Sequence, residues 1–202
     1  MIALIDYGAG NLTSVRKGFA AAGADLFTPR DPADLSRASG IVVPGVGHFG
    51  ATAALDQGWV AAIRAATSRG VPLFGICLGM QWLFEGSDEA PGLRGLGIMA
   101  GVCSRLPSDA AGVVKVPHVG WNTLSAPRPS RLLDGIAPAS QVYFTHSFAA
   151  PVTPESVATC THGTEFAAAV EKEHVVGVQF HPEKSSTAGL RILRNFAALT
   201  RG

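Results

Sequence analysis

The chain has 202 residues, 47% hydrophobic and 15% charged, with 16 basic against 15 acidic side chains and a net charge of +1. That composition suits one α/β domain over residues 1–202 with a substantial core, and it excludes a disordered chain. The near-neutral balance, with no long basic run, argues against a nucleic-acid partner or an anionic membrane surface.

No stretch approaches the roughly 20 apolar residues of a membrane span. Cys77, Cys103 and Cys160 are an odd number at wide spacing, not a disulfide framework, and fit a reducing compartment. The opening MIALIDYGAGN has no basic lead and its apolar run ends at Asp6, unlike a secretory signal. A soluble, cytoplasmic protein is expected.

Met1 to Ile5 reads as a buried first strand ahead of the turn YGAGN. Asn11 or Thr13 caps a helix to about Ala22, with Gly23 as its stop. Asp25 to Thr28 and Gly40 to Val43 follow as strands, the latter ending in PGVGHFG. Residues 50–69, rich in alanine and closed by Gly70, read as a helix. Val71 to Ile76 is a fourth strand and Cys77 to Phe84 a helix. This alternation predicts a mostly parallel central sheet flanked by helices. After Gly86 the runs GLGIM, VVKVP, GWNTL, VYFTHSF, SVATC, EFAAAV and VVGVQF read as short strands, partly antiparallel, before a last helix over Thr187 to Leu199.

GICLG places Cys77 between Gly75 and Gly79 at a strand-to-helix junction, the cysteine counterpart of the Gly-x-Ser-x-Gly nucleophile elbow. Small neighbours let the chain turn tightly there, and a helix start favours the thiolate. The N–H of Leu78 is expected to be free to face a developing oxyanion. The plain alternative is a buried cysteine packed behind a helix. Of six histidines, His181 stands out, because it follows the apolar run VVGVQF and opens HPEKS. Pro182 is expected to hold the next residue extended, which sets Glu183 on the same side as His181. Cys77, His181 and Glu183 then have the logic of a nucleophile, base and orienting acid. The alternative for HPE is a turn with a solvated glutamate. PGVGHFG lies at another strand's C-terminal end, and its Val46 or Gly47 N–H is a second candidate oxyanion donor.

PGVGHFG, GICLGMQ and GVQFHPEKS, in this order and at these separations, resemble the oxyanion strand, nucleophile elbow and His-Glu segment of the class I, triad-type glutamine amidotransferases. DYGAGNLTSV, GLGIM, VPHVGWN and YFTHSF narrow the resemblance to the glutaminase subunits of imidazole glycerol phosphate synthase, in histidine biosynthesis. It covers Asp6 to Ser185. Val119 stands where a methionine is common, and the last position of THSF, Phe148, where a tyrosine is also familiar; both keep apolar bulk.

The resemblance implies that Cys77 attacks the side-chain amide of glutamine while the Val46 and Leu78 N–H groups hold the oxyanion. His181, oriented by Glu183, protonates the leaving ammonia and then activates water. Gln81 is implied to bind glutamine, with Gly45, Ser147 and Phe148 as pocket walls. Ammonia is implied to pass to a cyclase partner, a (β/α)8 barrel, in a heterodimer, with Asn11, Trp121, Tyr143 and Lys184 near the docking face or the ammonia route. No metal or organic cofactor is implied.

Plainer readings stand beside these: Asn11 as a helix cap, Trp121 and Tyr143 as core aromatics, Lys184 as a surface lysine, and His118 and His146 as structural histidines. Glutaminases of pyridoxal phosphate, anthranilate, carbamoyl phosphate or GMP synthesis share the triad segments, and DYGAGN with VPHVGWN separates them. A non-catalytic, partner-stabilising subunit is the alternative of another class; it needs no triad. If PGVG rests with its N–H groups turned away, the isolated subunit is slow.

Overall fold

The computed structural model describes residues 1–108, 114–125 and 127–201. In the first half, strands and helices alternate: β1 (Ile2–Leu4), α1 (Leu12–Ala21), β2 (Leu26–Phe27), β3 (Gly40–Val43), α2 (Gln57–Ser68), β4 (Leu73–Ile76) and α3 (Leu78–Trp82). Strands dominate afterwards: β5 (Gly86–Ser87), β6 (Val102–Arg105), β7 (His118–Thr123), β8 (Gln141–His146), β9 (Phe148–Ala149), β10 (Ser156–His162), β11 (Thr164–Lys172) and β12 (Val175–Val178), closed by α4 (Ser186–Leu199).

The central sheet has seven strands in the order β10-β11-β12-β4-β3-β1-β2. β12, β4, β3, β1 and β2 run parallel, and β11 and β10 extend the sheet antiparallel. This is the expected α/β class with antiparallel strands added from the C-terminal half. β5, β6 and β9 form a small second sheet, and β7 pairs with β8. Along β4, alternate residues enter opposite cores. Phe74 joins Phe19 of α1 and Phe196 of α4 on one face, with ring centroids 5.0 Å apart for Phe74–Phe196. Leu73 joins Ile63 of α2 and Trp82 of α3 on the other. Among the described residues, no helix is long and apolar enough to cross a membrane.

Three expectations change. The helix over 50–69 is two pieces, a 3-10 turn over Phe49–Ala54 and then α2, because Asp56 accepts the Trp59 N–H at 3.1 Å and starts a new helix. GLGIM is not a strand. Its N–H groups at Leu96, Gly97 and Ile98 donate to the Trp82, Phe84 and Leu83 carbonyls, so it wraps the end of α3 and satisfies oxygens the helix leaves open. VVKVP forms no strand over 114–117, and its first residue, Val113, lies outside the described residues.

For the site, register matters most. Gly75 of β4 pairs with Val43 of β3 on one side and Gly177 of β12 on the other. The C-terminal ends of these three parallel strands therefore lie side by side, where open α/β sheets carry their sites.

Candidate active site

Cys77 follows β4 directly. Its N–H donates to the Val178 carbonyl of β12 at 2.8 Å, and the residue is held at φ 53°, ψ −107°. A side chain with positive φ outside glycine carries backbone strain, and such strain collects at functional turns. The glycines of GICLG answer to close approach. A Cβ on Gly79 would stand 1.8 Å from the Val43 carbonyl oxygen, and one on Gly75 would stand 2.6 Å from the Gly79 oxygen.

His181 lies three residues past β12, buried, with Nδ1 2.8 Å from Glu183 Oε1; both side chains are 2% exposed. The local geometry differs from the expected extended segment. Pro182 opens a 3-10 turn, Pro182–Lys184, and Glu183 reaches His181 from inside that turn. The Ser185 hydroxyl fixes the turn by donating to the His181 carbonyl at 2.6 Å. Glu183 is thus not a solvated side chain.

Burial lowers the affinity of His181 for a proton, but Cys77 beside it and the Glu183 carboxylate prevail and hold its pKa up, at about 10. His181 Nε2 has no hydrogen-bond partner of ordinary geometry among the described residues, and the Cys77 sulfur is the neighbour that most favours its proton.

Cys77 opens onto a pocket of about 280 Å³ that Gly47, Leu78, Gln81, Ser147 and Phe148 also line. Gly45 sits just behind: a Cβ there would lie 2.2 Å from the Tyr7 hydroxyl and 2.7 Å from Leu78 Cβ. The Leu78 N–H is not free as expected. It donates to the Gly45 carbonyl at 3.4 Å. A planar trans peptide turns its N–H opposite to its carbonyl, so the Val46 N–H points away from Leu78. Val46 itself is 38% exposed.

Of the four surface candidates, three meet. Trp121 and Tyr143 stack edge to face with centroids 6.1 Å apart, and Lys184 Nζ lies 5.7 Å from the Tyr143 ring centre. Trp121 is 52% exposed, so it is not a core aromatic. Asn11 uses its side chain to cap α1 through the Ser14 N–H.

Sequence reasoning left His146 open and missed Thr145, Glu89 and Pro117, all of which line the pocket. Thr145 and His146 fall inside THSF, so that segment already pointed to them. Glu89, from the chain beyond β5, carried no local pattern.

His146 belongs to a directional chain. Its Nδ1 donates to the Phe148 carbonyl at 2.9 Å, so Nε2 must accept from His118 Nδ1 at 3.1 Å. His118 Nε2 then accepts from Asn122 at 3.2 Å. Both rings are neutral here, and burial pushes their pKa values down, to about 4 for His118 and about 3 for His146. The unfolded chain takes up these protons near the ordinary histidine value, and the folded chain resists until far lower pH. Stability should therefore fall as pH drops from about 6.5 toward 4, before most carboxylates titrate. Urea midpoints at successive pH values check this, with a shallower fall expected for His146→Gln.

Cys103 and Cys160 are buried, and burial raises both thiols, Cys160 to about 12. Neither lines the pocket. Among the described residues no group of His, Cys, Asp and Glu could hold a metal ion.

Comparison with known proteins gives the family. The family model "Glutamine amidotransferase class-I" matches residues 3–199. The imidazole glycerol phosphate synthase subunit HisH of Moorella thermoacetica is 47% identical over 204 residues, covering 99% of this chain and 95% of the relative. HisH of Methanothermobacter thermautotrophicus is 43% identical and covers 100% of both chains. A crystal structure of a glutamine amidotransferase superposes at a TM-score of 0.76 over 100% of both chains, and PurLQS from Thermotoga maritima at 0.73 over 98% of this chain and 97% of that one. Each is 17% identical, so they speak to fold alone. This chain belongs to the class-I glutamine amidotransferases, among the HisH subunits.

Proposed function

We propose that this protein is the glutaminase subunit of an imidazole glycerol phosphate synthase, hydrolysing glutamine to glutamate and ammonia in histidine biosynthesis. The observation that carries the chemistry is the strained Cys77 turn, which opens onto the pocket, beside a buried His181–Glu183 pair at the end of the adjacent parallel strand. In this reading Cys77 attacks the glutamine side-chain amide as the thiolate. His181, kept protonated by its neighbours, gives its proton to the leaving ammonia, then draws a proton from the water that cleaves the thioester. Glu183 fixes the imidazole tautomer and balances its charge. Gln81, Ser147 and Phe148 shape the substrate pocket.

Ammonia then passes to a separate cyclase subunit, a (β/α)8 barrel. The exposed cluster of Trp121, Tyr143 and Lys184 supports that part as a docking face, since an aromatic pair with a cation above it suits a protein interface. The PGVG loop supports gating. With the Gly45 carbonyl on the Leu78 N–H and the Val46 N–H turned away, the two oxyanion donors are out of position together. Each missing donor costs about 10²–10³ in rate. Rotating the Gly45–Val46 peptide would free one donor and present the other, and partner docking near Lys184 is the event proposed to drive it.

The test is glutamine hydrolysis by the purified chain, alone and then with the cyclase subunit and its nucleotide ligand. A rise of at least about 10²-fold is expected. Full activity alone, with no response to the cyclase, would overturn the partnered reading and leave the triad standing.

A further inference from the structure

The sulfur of Cys77 has a neighbour outside the triad. Gln179 lies one residue past β12, fully buried, and its Nε2 donates to Cys77 Sγ at 3.6 Å. A side-chain amide has a donor end and an acceptor end of the same shape, so the end that faces the sulfur needs a cause.

A fixed acceptor elsewhere supplies it. The Phe148 carbonyl can only accept, so Gln81 must present its Nε2 there, at 2.7 Å. The same Nε2 donates to Gln179 Oε1 at 3.1 Å. With its oxygen engaged, Gln179 turns its NH₂ end to Cys77. His146, held by His118, donates to that same Phe148 carbonyl and holds it in place. The neutral histidine pair thus sets, through one carbonyl and two glutamines, what the nucleophile meets.

We propose that Gln179 is a further catalytic residue: its side-chain amide, oriented by Gln81, donates a hydrogen bond to the Cys77 sulfur and stabilises it as the thiolate. The proposal rests on the reading of Cys77 as the nucleophile. An anionic sulfur is a much stronger acceptor than a neutral thiol, so a fixed, buried donor favours the charged form. It also aims the sulfur, together with the Thr145 carbonyl that Sγ faces at 4.0 Å.

The test needs neither partner nor turnover. The rate of Cys77 alkylation by iodoacetamide is followed against pH, read from the mass of the Cys77 peptide so that Cys103 and Cys160 do not contribute. In Gln179→Met the midpoint of the profile should move up by about one pH unit, with alkylation below the midpoint about tenfold slower and a plateau still reached at high pH. Gln179→Glu keeps an acceptor for Gln81 but sets a carboxylate against the sulfur, and should move the profile further. It carries the test if Gln179→Met does not fold. In the unmutated chain the Gln179 amide protons should shift in the NMR spectrum with the same midpoint as alkylation.

A profile unmoved in a folded variant, or amide protons that ignore the alkylation midpoint, overturns the role of Gln179 and leaves the triad reading intact. Undiminished glutaminase activity in Cys77→Ser would sink the triad reading instead.

Discussion

Cys77→Ser should lose glutamine hydrolysis by about 10⁴–10⁶-fold while its unfolding midpoint stays close to that of the parent chain. The two side chains differ by one atom, and serine tolerates the φ of 53° no worse than cysteine does. The backbone contacts that build the turn, Cys77 N–H to Val178 and Gln81 N–H to Cys77, do not involve the sulfur. The chemistry changes more. A serine hydroxyl is not ionised near neutral pH, so its attack on the amide must begin with a proton transfer that a thiolate does not need, and the hydroxyl is the weaker nucleophile. In the proposed mechanism the attacking group is a thiolate, which needs no base in its first step. Steady-state ammonia release with the cyclase present is the direct assay, and urea unfolding of the same preparation shows that the fold survived. Activity within tenfold of the parent would sink the nucleophile assignment.

The parallel half of the fold was legible because each strand there is a short apolar run punctuated by glycine or proline, and the caps are local. Asn11 and Gly23 bracket α1 almost as read. The site was legible for the same reason: three loops at strand ends carry recognisable residues, and a parallel sheet must bring such ends together.

What escaped depended on distant partners. GLGIM has a strand's composition, but its N–H groups are claimed by the end of α3. Residues 50–69 carry a continuous helical composition, and the Asp56 cap that divides them is decided by a single side-chain contact. Gln179 sits in plain view between Val178 and His181, yet its role turns on Gln81 and Phe148, 98 and 31 residues away along the chain. The orientation of the Gly45–Val46 peptide depends on the Leu78 N–H that its carbonyl meets, 33 residues further along the chain.

The largest structural effect is expected at Gly79, where alanine should destabilise the fold by roughly 3 kcal/mol or more. The added Cβ would lie 1.8 Å from the Val43 carbonyl oxygen and 2.7 Å from its carbon. Neither atom can yield cheaply. Val43 ends β3, between β1 and β4 in the middle of the sheet, and is fully buried. Gly79 lies in the first turn of α3, whose entry is fixed by the Cys77 turn and by Gly75, where a Cβ would stand only 2.6 Å from the Gly79 carbonyl oxygen. Relief therefore requires α3 to move off β3 as a unit, and that displacement carries Leu78 and the Cys77 turn with it. Stability and glutaminase activity should consequently fall together in Gly79→Ala, unlike in Cys77→Ser, where activity falls alone. Gly92 provides the control, since a Cβ there meets nothing within 4 Å and its φ is unexceptional, so Gly92→Ala should stay within about 0.5 kcal/mol. Denaturant unfolding of the two variants side by side measures the difference. An unperturbed midpoint in Gly79→Ala would mean that the strand-to-helix turn is looser than its contacts require, and that the close approach of α3 to β3 does not hold the nucleophile in place.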